Sequence, residues 1–145
     1  MSARENIAID IVEQLKNMSK PGAVLVSREF FDFEKLAITQ FPAILVVSGN
    51  EEREDISMSE RQGTLEIELR CFVRGSELDT ARNNLITNIE KTLELSRDRN
   101  ITVDNTATHY VQSSINNIEV VERQQPLGQF NATLSVTYAY KRGNP

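Results

Sequence analysis

The chain has little of what enzyme chemistry usually needs: one cysteine, one histidine and no tryptophan in 145 residues. A single cysteine, Cys71, excludes an internal disulfide and any multi-cysteine zinc site, in keeping with a reducing compartment. No apolar run approaches the roughly 18 to 20 residues that cross a bilayer. The opening MSARENIAID carries acidic and polar residues where a signal peptide needs its apolar stretch, so the expectation is a protein made and kept in a cytoplasm, with no membrane partner. Positive charge is also short. Sixteen Lys and Arg against 21 Asp and Glu leave a net charge of −5, which opposes binding to the outside of a duplex. The phosphate-cradling patterns G-x-x-x-x-G-K-S/T and G-x-G-x-x-G are absent, as are zinc-spaced ligands and the D-x-D-x-D-G run of a calcium loop, so no cofactor is expected.

What is present describes a soluble globular chain, since 39% of residues are hydrophobic and 26% charged, and 145 residues suffice for one core but not two. A single domain over residues 1–145 is expected. Ser2 and Glu5 have capping-box spacing, and Ile7, Ile11, Leu15 and Met18 follow at helical intervals, which predicts a first amphipathic helix ended by Pro21-Gly22. A short strand over Ala23 to Ser27 comes next, then Phe30, Phe31 and Phe33, read as core anchors under a connection. The run from Phe41 to Gly49 is apolar at both parities, the pattern of a strand covered on both faces. Either the phenylalanine-rich connection or a partner subunit must cover its second face. Residues 50–62 are hydrophilic and read as a projecting hairpin loop, a candidate mobile arm.

Leu65, Ile67, Leu69, Cys71 and Val73 alternate with Glu66, Glu68 and Arg70, predicting a strand with one core face and one wet face. Ser76, with Asp79 three positions on, is expected to cap a second helix whose stripe is Leu78, Ala81, Leu85, Ile89 and Leu93. After a polar connection, a strand over about Thr108 to Glu122 changes parity near Asn116-Asn117, which calls for a bulge or a break. Pro126-Leu127-Gly128 supplies a turn, and Phe130, Ala132, Leu134, Val136, Tyr138 and Tyr140 alternate in a last strand hairpinned to it; residues 141–145 form a polar, flexible tail. The sum is an α+β fold: an antiparallel or mixed sheet of four to five strands, two helices packed on one face, and a long β-hairpin arm.

The candidate sites are few. His109 reads as an ordinary strand residue rather than a general base, for want of partners, and Cys71 as a small core residue. Glu51, Glu52, Glu54 and Asp55 read as a solvated charge run rather than a cation site, and Glu66 with Glu68 as wet-face charges rather than a catalytic pair. No catalytic or metal residue is assigned. What remains is surface: Glu51, Glu52, Arg53, Glu54 and Asp55 of the arm, and Glu66, Glu68 and Arg70 of the wet face, are the candidate interaction residues.

The N-terminal helix, F-P-A-I-L-V at 41–46, L-E-I-E-L-R-C-F-V-R-G at 65–75 and P-L-G-Q-F-N-A-T-L-S-V-T-Y at 126–138 together resemble the tail terminator, or tail completion, proteins of tailed bacteriophages, the minor tail protein U-like family. The resemblance spans nearly the whole chain and rests on element order and short phrases. It implies a non-enzymatic virion assembly protein, a small α+β domain that forms a ring, commonly a hexamer, on the last ring of the tail tube. There it would stop polymerisation and present a surface for head attachment. The implied partners are other copies of the chain, the tail tube protein and the head-tail connector, with DNA passing through the ring without specific binding. The arm would meet the tube or the adjacent subunit. The implied place is the top of the tail tube in the virion, after assembly in the host cytoplasm. Three alternatives stay open: another head-tail connector or a tail tube component, a non-viral ligand-binding α+β module, and an enzyme with an unrecognised carboxylate site.

Overall fold

The computed structural model describes residues 2–18, 22–94, 99–103 and 106–143. The Ser2 hydroxyl accepts the Glu5 N–H and starts helix α1, Ala3–Lys16. The Glu5 carboxylate does not reach back to complete the box but accepts two bonds from Arg28. Helix α2, Leu78–Leu93, begins at Glu77 with no side-chain cap, so the expected Ser76 cap is one residue early. Its stripe is as expected, with Leu85, Ile89 and Leu93 buried and Leu78 and Ala81 packed at the margin.

The strands are β1 (Leu25–Ser27), β2 (Ala43–Asp55), β3 (Glu60–Arg74), β4 (Arg99–Val103), β5 (Thr106–Val121) and β6 (Leu127–Lys141). They form one mixed sheet in the order β1-β2-β3-β6-β5-β4, with β1 parallel to β2 and every other pair antiparallel. The α+β class and the hairpins stand. The strand beyond the expected count is β4, whose sequence R-N-I-T-V reads as a polar connection and becomes a strand by pairing with the start of β5.

Both helices lie on one face. Ile7, Ile11 and Leu15 of α1 and Leu85, Ile89 and Leu93 of α2 meet the inward residues of β2, β3 and β6, from Ile44 and Leu65 through Cys71 to Phe130 and Tyr138, in one apolar cluster. Burying each such side chain contributes about 1.5–3 kcal/mol, and this layer is the main source of stability. The opposite face of β2 is covered by its own chain. Phe41, Ala43, Leu45 and Phe72 form a second cluster, against which Phe31, Phe33 and Leu36 of the connection pack. Phe33 stacks on Phe72 at 4.5 Å between ring centres and Phe31 meets it edge-on at 5.7 Å. No partner subunit is needed there. Phe30, expected as an anchor, points away instead and is 82% exposed.

The parity change in β5 is a bulge: Ile115 pairs with Leu134 and Asn117 with Thr133, leaving Asn116 as the extra residue. A second register shift lies in β2, between Ser48 and Glu51. Residues 50–62, read as a loop, are strand over most of their length, with the turn confined to residues 56–59. Composition hides this because the ladder partners are remote: Glu60 to Thr64 pair on their other side with Thr137 to Lys141. The expected polar tail is likewise anchored in part, with Lys141 in β6 and the Arg142 N–H donating to the Ser59 carbonyl at 2.8 Å; residues 144–145 lie outside the described residues.

Candidate functional site

The eight candidate interaction residues do not form one surface. The extra residue of the β2 bulge reverses side-chain parity, so that Glu51 lies opposite Leu65 and Arg53 opposite Gly63, on the helix-bearing side. Glu52 and Glu54 face the other way, opposite Thr64 and Gln62, with Glu66, Glu68 and Arg70 further down the same face. Gly49 makes the bulge possible, because a Cβ there would lie 3.1 Å from the Glu66 carbonyl oxygen.

On the helix side the charges are structural. The Glu51 side chain is only 4% exposed, and its carboxylate takes the Arg53 Nε at 2.6 Å, Arg4 of α1 at 3.9 Å and the Tyr138 hydroxyl. Arg4 also donates to the Gly49 carbonyl at 3.0 Å, which ties α1 to the bulge. Burial raises the Tyr138 pKa and the bond to Glu51 raises it further, so the hydroxyl remains a donor. The hydrogen bond that Arg53 donates to Glu51 raises the Arg53 pKa, and its guanidinium also lies 5.3 Å over the Tyr140 ring. Further up the arm Asp55 forms ion pairs with Arg61 at 2.9 Å and with Arg142 at 2.6 Å, and Arg142 Nε donates to the Met58 carbonyl at 3.2 Å. The arm is stapled to the end of β6.

Beyond those staples the arm carries two apolar side chains into solvent: Met58 is 95% exposed and Ile56 51%. Sequence reasoning missed both, although I-S-M-S between two charged runs was a readable signal. The opposite face is polar. Glu66 stands there beside Ser135 of β6 with Ser114 of β5 beyond it, and Glu68 beside Thr133 with Asn117 beyond it. Arg70 turns onto Glu68 at 3.1 Å and neutralises part of that charge.

Cys71 is fully buried, its thiol pushed upward in pKa by that burial, as a core residue should be. His109 is partly buried in β5 and has a partner. Among the described residues no three His, Cys, Asp or Glu side chains gather as metal ligands, and no helix is long and apolar enough to cross a membrane. A depression lies beside the start of α2, between Ser76, Leu78 and Arg82 on one side and Val120 and Arg123 on the other. Its two cations are already engaged: Arg82 faces Asp79 at 3.8 Å, and Arg123 donates to Gln129 at 2.8 Å and lies over the Phe33 ring.

The described residues thus build a two-sided α+β sheet that carries a paired hairpin with an apolar tip. A family model described as Bacteriophage Tail Tube Terminator Protein matches residues 1–143, and the chain belongs to that family. A solved chain from the virion of a native gene transfer agent particle shares the fold, with a TM-score of 0.57 over 93% of this chain and 94% of its own at 9% identity. No curated protein matches the chain in sequence. The protein is thus a structural component of the phage tail.

Proposed function

We propose that copies of this chain, each a single domain, close into a hexameric ring on the last ring of the tail tube. The ring halts tube growth and offers its far side to the head-tail connector, with assembly taking place in the host cytoplasm. The observation that carries the reading is the family match over residues 1–143, joined to an arm whose stapled strands hold Ile56 and Met58 in solvent. Such an arm costs little ordering entropy on docking, because its backbone is already paired. The arm tip meets the tube or the adjacent subunit, while the polar face with Glu66, Glu68 and Arg70 lines the bore. An acidic bore repels the DNA that slides through it, in line with the net charge of −5. The reading includes no catalytic step and no cofactor.

The test is a tube-growth assay. Purified protein added to polymerising tail tube protein is expected to fix tube length and to leave one ring of uniform size at the tube end, seen by electron microscopy. Tubes that lengthen at an undiminished rate with no ring at the end would overturn the reading. Copolymerisation along the tube would instead favour a tube component.

A further inference from the structure

One row of the sheet can be followed from edge to edge. Val26 of β1 pairs with Ile44, Ile44 with Cys71, Cys71 with Phe130, and Phe130 with Val120 of β5. Val26 and Val120 therefore sit at the same height, four strand spacings or about 19 Å apart. Val26 itself is buried, but apolar side chains flanking β1 and those of β5 reach water. Next to β1 in the chain Val24 is 62% exposed, and on β5 Val120 is 53% and Ile118 36% exposed.

Both ends are also open strand edges. Among the described residues β1 pairs only with β2, and β4 covers β5 only from Thr106 to Tyr110. Lower on β5 the Ile115 N–H is taken by the Glu94 carboxylate at 3.0 Å, which leaves the stretch from Asn116 to Val121. Open edges are usually blunted by lysine, proline or clustered charge. N-N-I-E-V-V has one charge and no proline. The upper part of β2, the other long open stretch, is blunted by its bulge and by Glu51 to Asp55. The strand directions fit as well: from the pairings, β1 runs opposite to β5.

We propose that these two edges are the two halves of one head-to-tail contact between copies of this chain, with the β1 edge and Val24 of one copy antiparallel to Ile118 and Val120 on the β5 edge of the next. The inference rests on the ring reading and deepens it. A ring closed by rotation needs two unlike patches on every copy, whereas a two-fold dimer needs one patch that meets itself. Two unlike apolar edges at one height, on strands of opposite direction, meet that requirement. The arm tip lies at the far end of β2 from this row and stays available for another partner.

Cross-linking tests the contact. Cys71 is fully buried, so introduced cysteines are the accessible thiols. A chain with Val24→Cys and Val120→Cys is assembled on tail tubes and treated with a bismaleimide too short to span the two positions within one chain. A covalent ladder is expected. An equimolar mixture of the two single variants should give dimers only, and each single variant alone should stay monomeric. In parallel, Val120→Asp should lower ring yield roughly ten-fold or more with an unchanged circular dichroism spectrum. Rings at tube ends without a ladder would overturn the contact and leave the ring reading intact. Single variants that link to themselves would replace it with a two-fold contact. Absence of both rings and ladder would remove the ring reading and this inference together.

Discussion

The Tyr138 hydroxyl donates to the Glu51 carboxylate across the sheet, so an acid from the most charged stretch of the chain is held at 4% exposure by a residue of the last strand. Removing the carboxylate leaves the Tyr138 hydroxyl and Arg53 without their acceptor and loosens Arg4 of α1. Both arginines are partly exposed and rehydrate, so the expected loss from Glu51→Ala is about 1–3 kcal/mol rather than that of a fully buried pair. Thermal melting should show it as a fall of several degrees. Glu52→Ala, one residue on and facing water, should stay within about 0.5 kcal/mol of wild type. Equal effects from the two substitutions would contradict the parity assigned to the bulge.

The phenylalanine cover makes a similar contrast between neighbours. Phe72 is 5% exposed and holds Phe31 and Phe33, so Phe72→Ala should cost about 3–5 kcal/mol and Phe33→Ala about 1–2 kcal/mol. Phe30→Ala should cost almost nothing in the melt of an isolated subunit, because its ring is in water. Urea denaturation of the three variants decides the order.

These cases also show how far the sequence could be read. The bulge at Asn116 was legible because Ile115, Ile118 and Val120 flank it, and apolar residues reveal a parity change. The bulge at Gly49-Asn50 was not, because everything after it is polar and either parity looks equally wet. Glu51 and Arg53 therefore passed for surface residues alongside Glu52 and Glu54. Periodicity found both helices and the long strands, where local pattern and tertiary role agree. It missed β4 and the strand character of residues 50–62, whose conformation depends on distant partners in β5 and β6. The phenylalanines were legible as a cluster, but which of the three turned inward was not, since a connection without regular structure has no period to read.

Gly63 supports the Tyr138 ring from below. A Cβ at this position would lie 2.9 Å from two ring carbons of Tyr138, inside any ordinary contact. Gly63→Ala should therefore destabilise by about 1–3 kcal/mol through displacement of the ring. The same alanine in a Tyr138→Leu background should cost less than in wild type, a coupling that a double-mutant cycle in urea would read. Additive costs would show that the glycine is needed for some other reason.

The Glu5 and Arg28 pair gives a dependence on pH. The hydrogen bond from Arg28 holds the Glu5 carboxyl below its ordinary value of 4.5. A carboxylate depressed in the folded state stabilises above the unfolded pKa, and that contribution fades as pH falls through the folded one. The Tm difference between wild type and Glu5→Gln should be constant from pH 7 down to about 5 and close as the pH drops further below 4.5. Both side chains are 38% exposed, so the gap should also shrink in high salt. A gap that widens toward acid would reverse the assignment.

Cys71 offers a report on the whole molecule. Its side chain is fully buried between Leu69 and Val73 on the inner face of β3, with the Sγ–H toward the Leu69 carbonyl at 3.7 Å. Burial disfavours the thiolate, which is the form that reacts with alkylating and disulfide reagents. Two barriers thus stand between the thiol and a reagent, access and ionisation, and only opening of the helix-covered core removes both. Labelling of the native protein at pH 8 should be negligible over the time in which the urea-unfolded chain reacts completely, and its rate should rise with urea in step with global unfolding. Rapid native labelling would mean that the helices leave the sheet without the rest of the molecule unfolding, which a core shared by α1, α2, β3 and β6 does not permit.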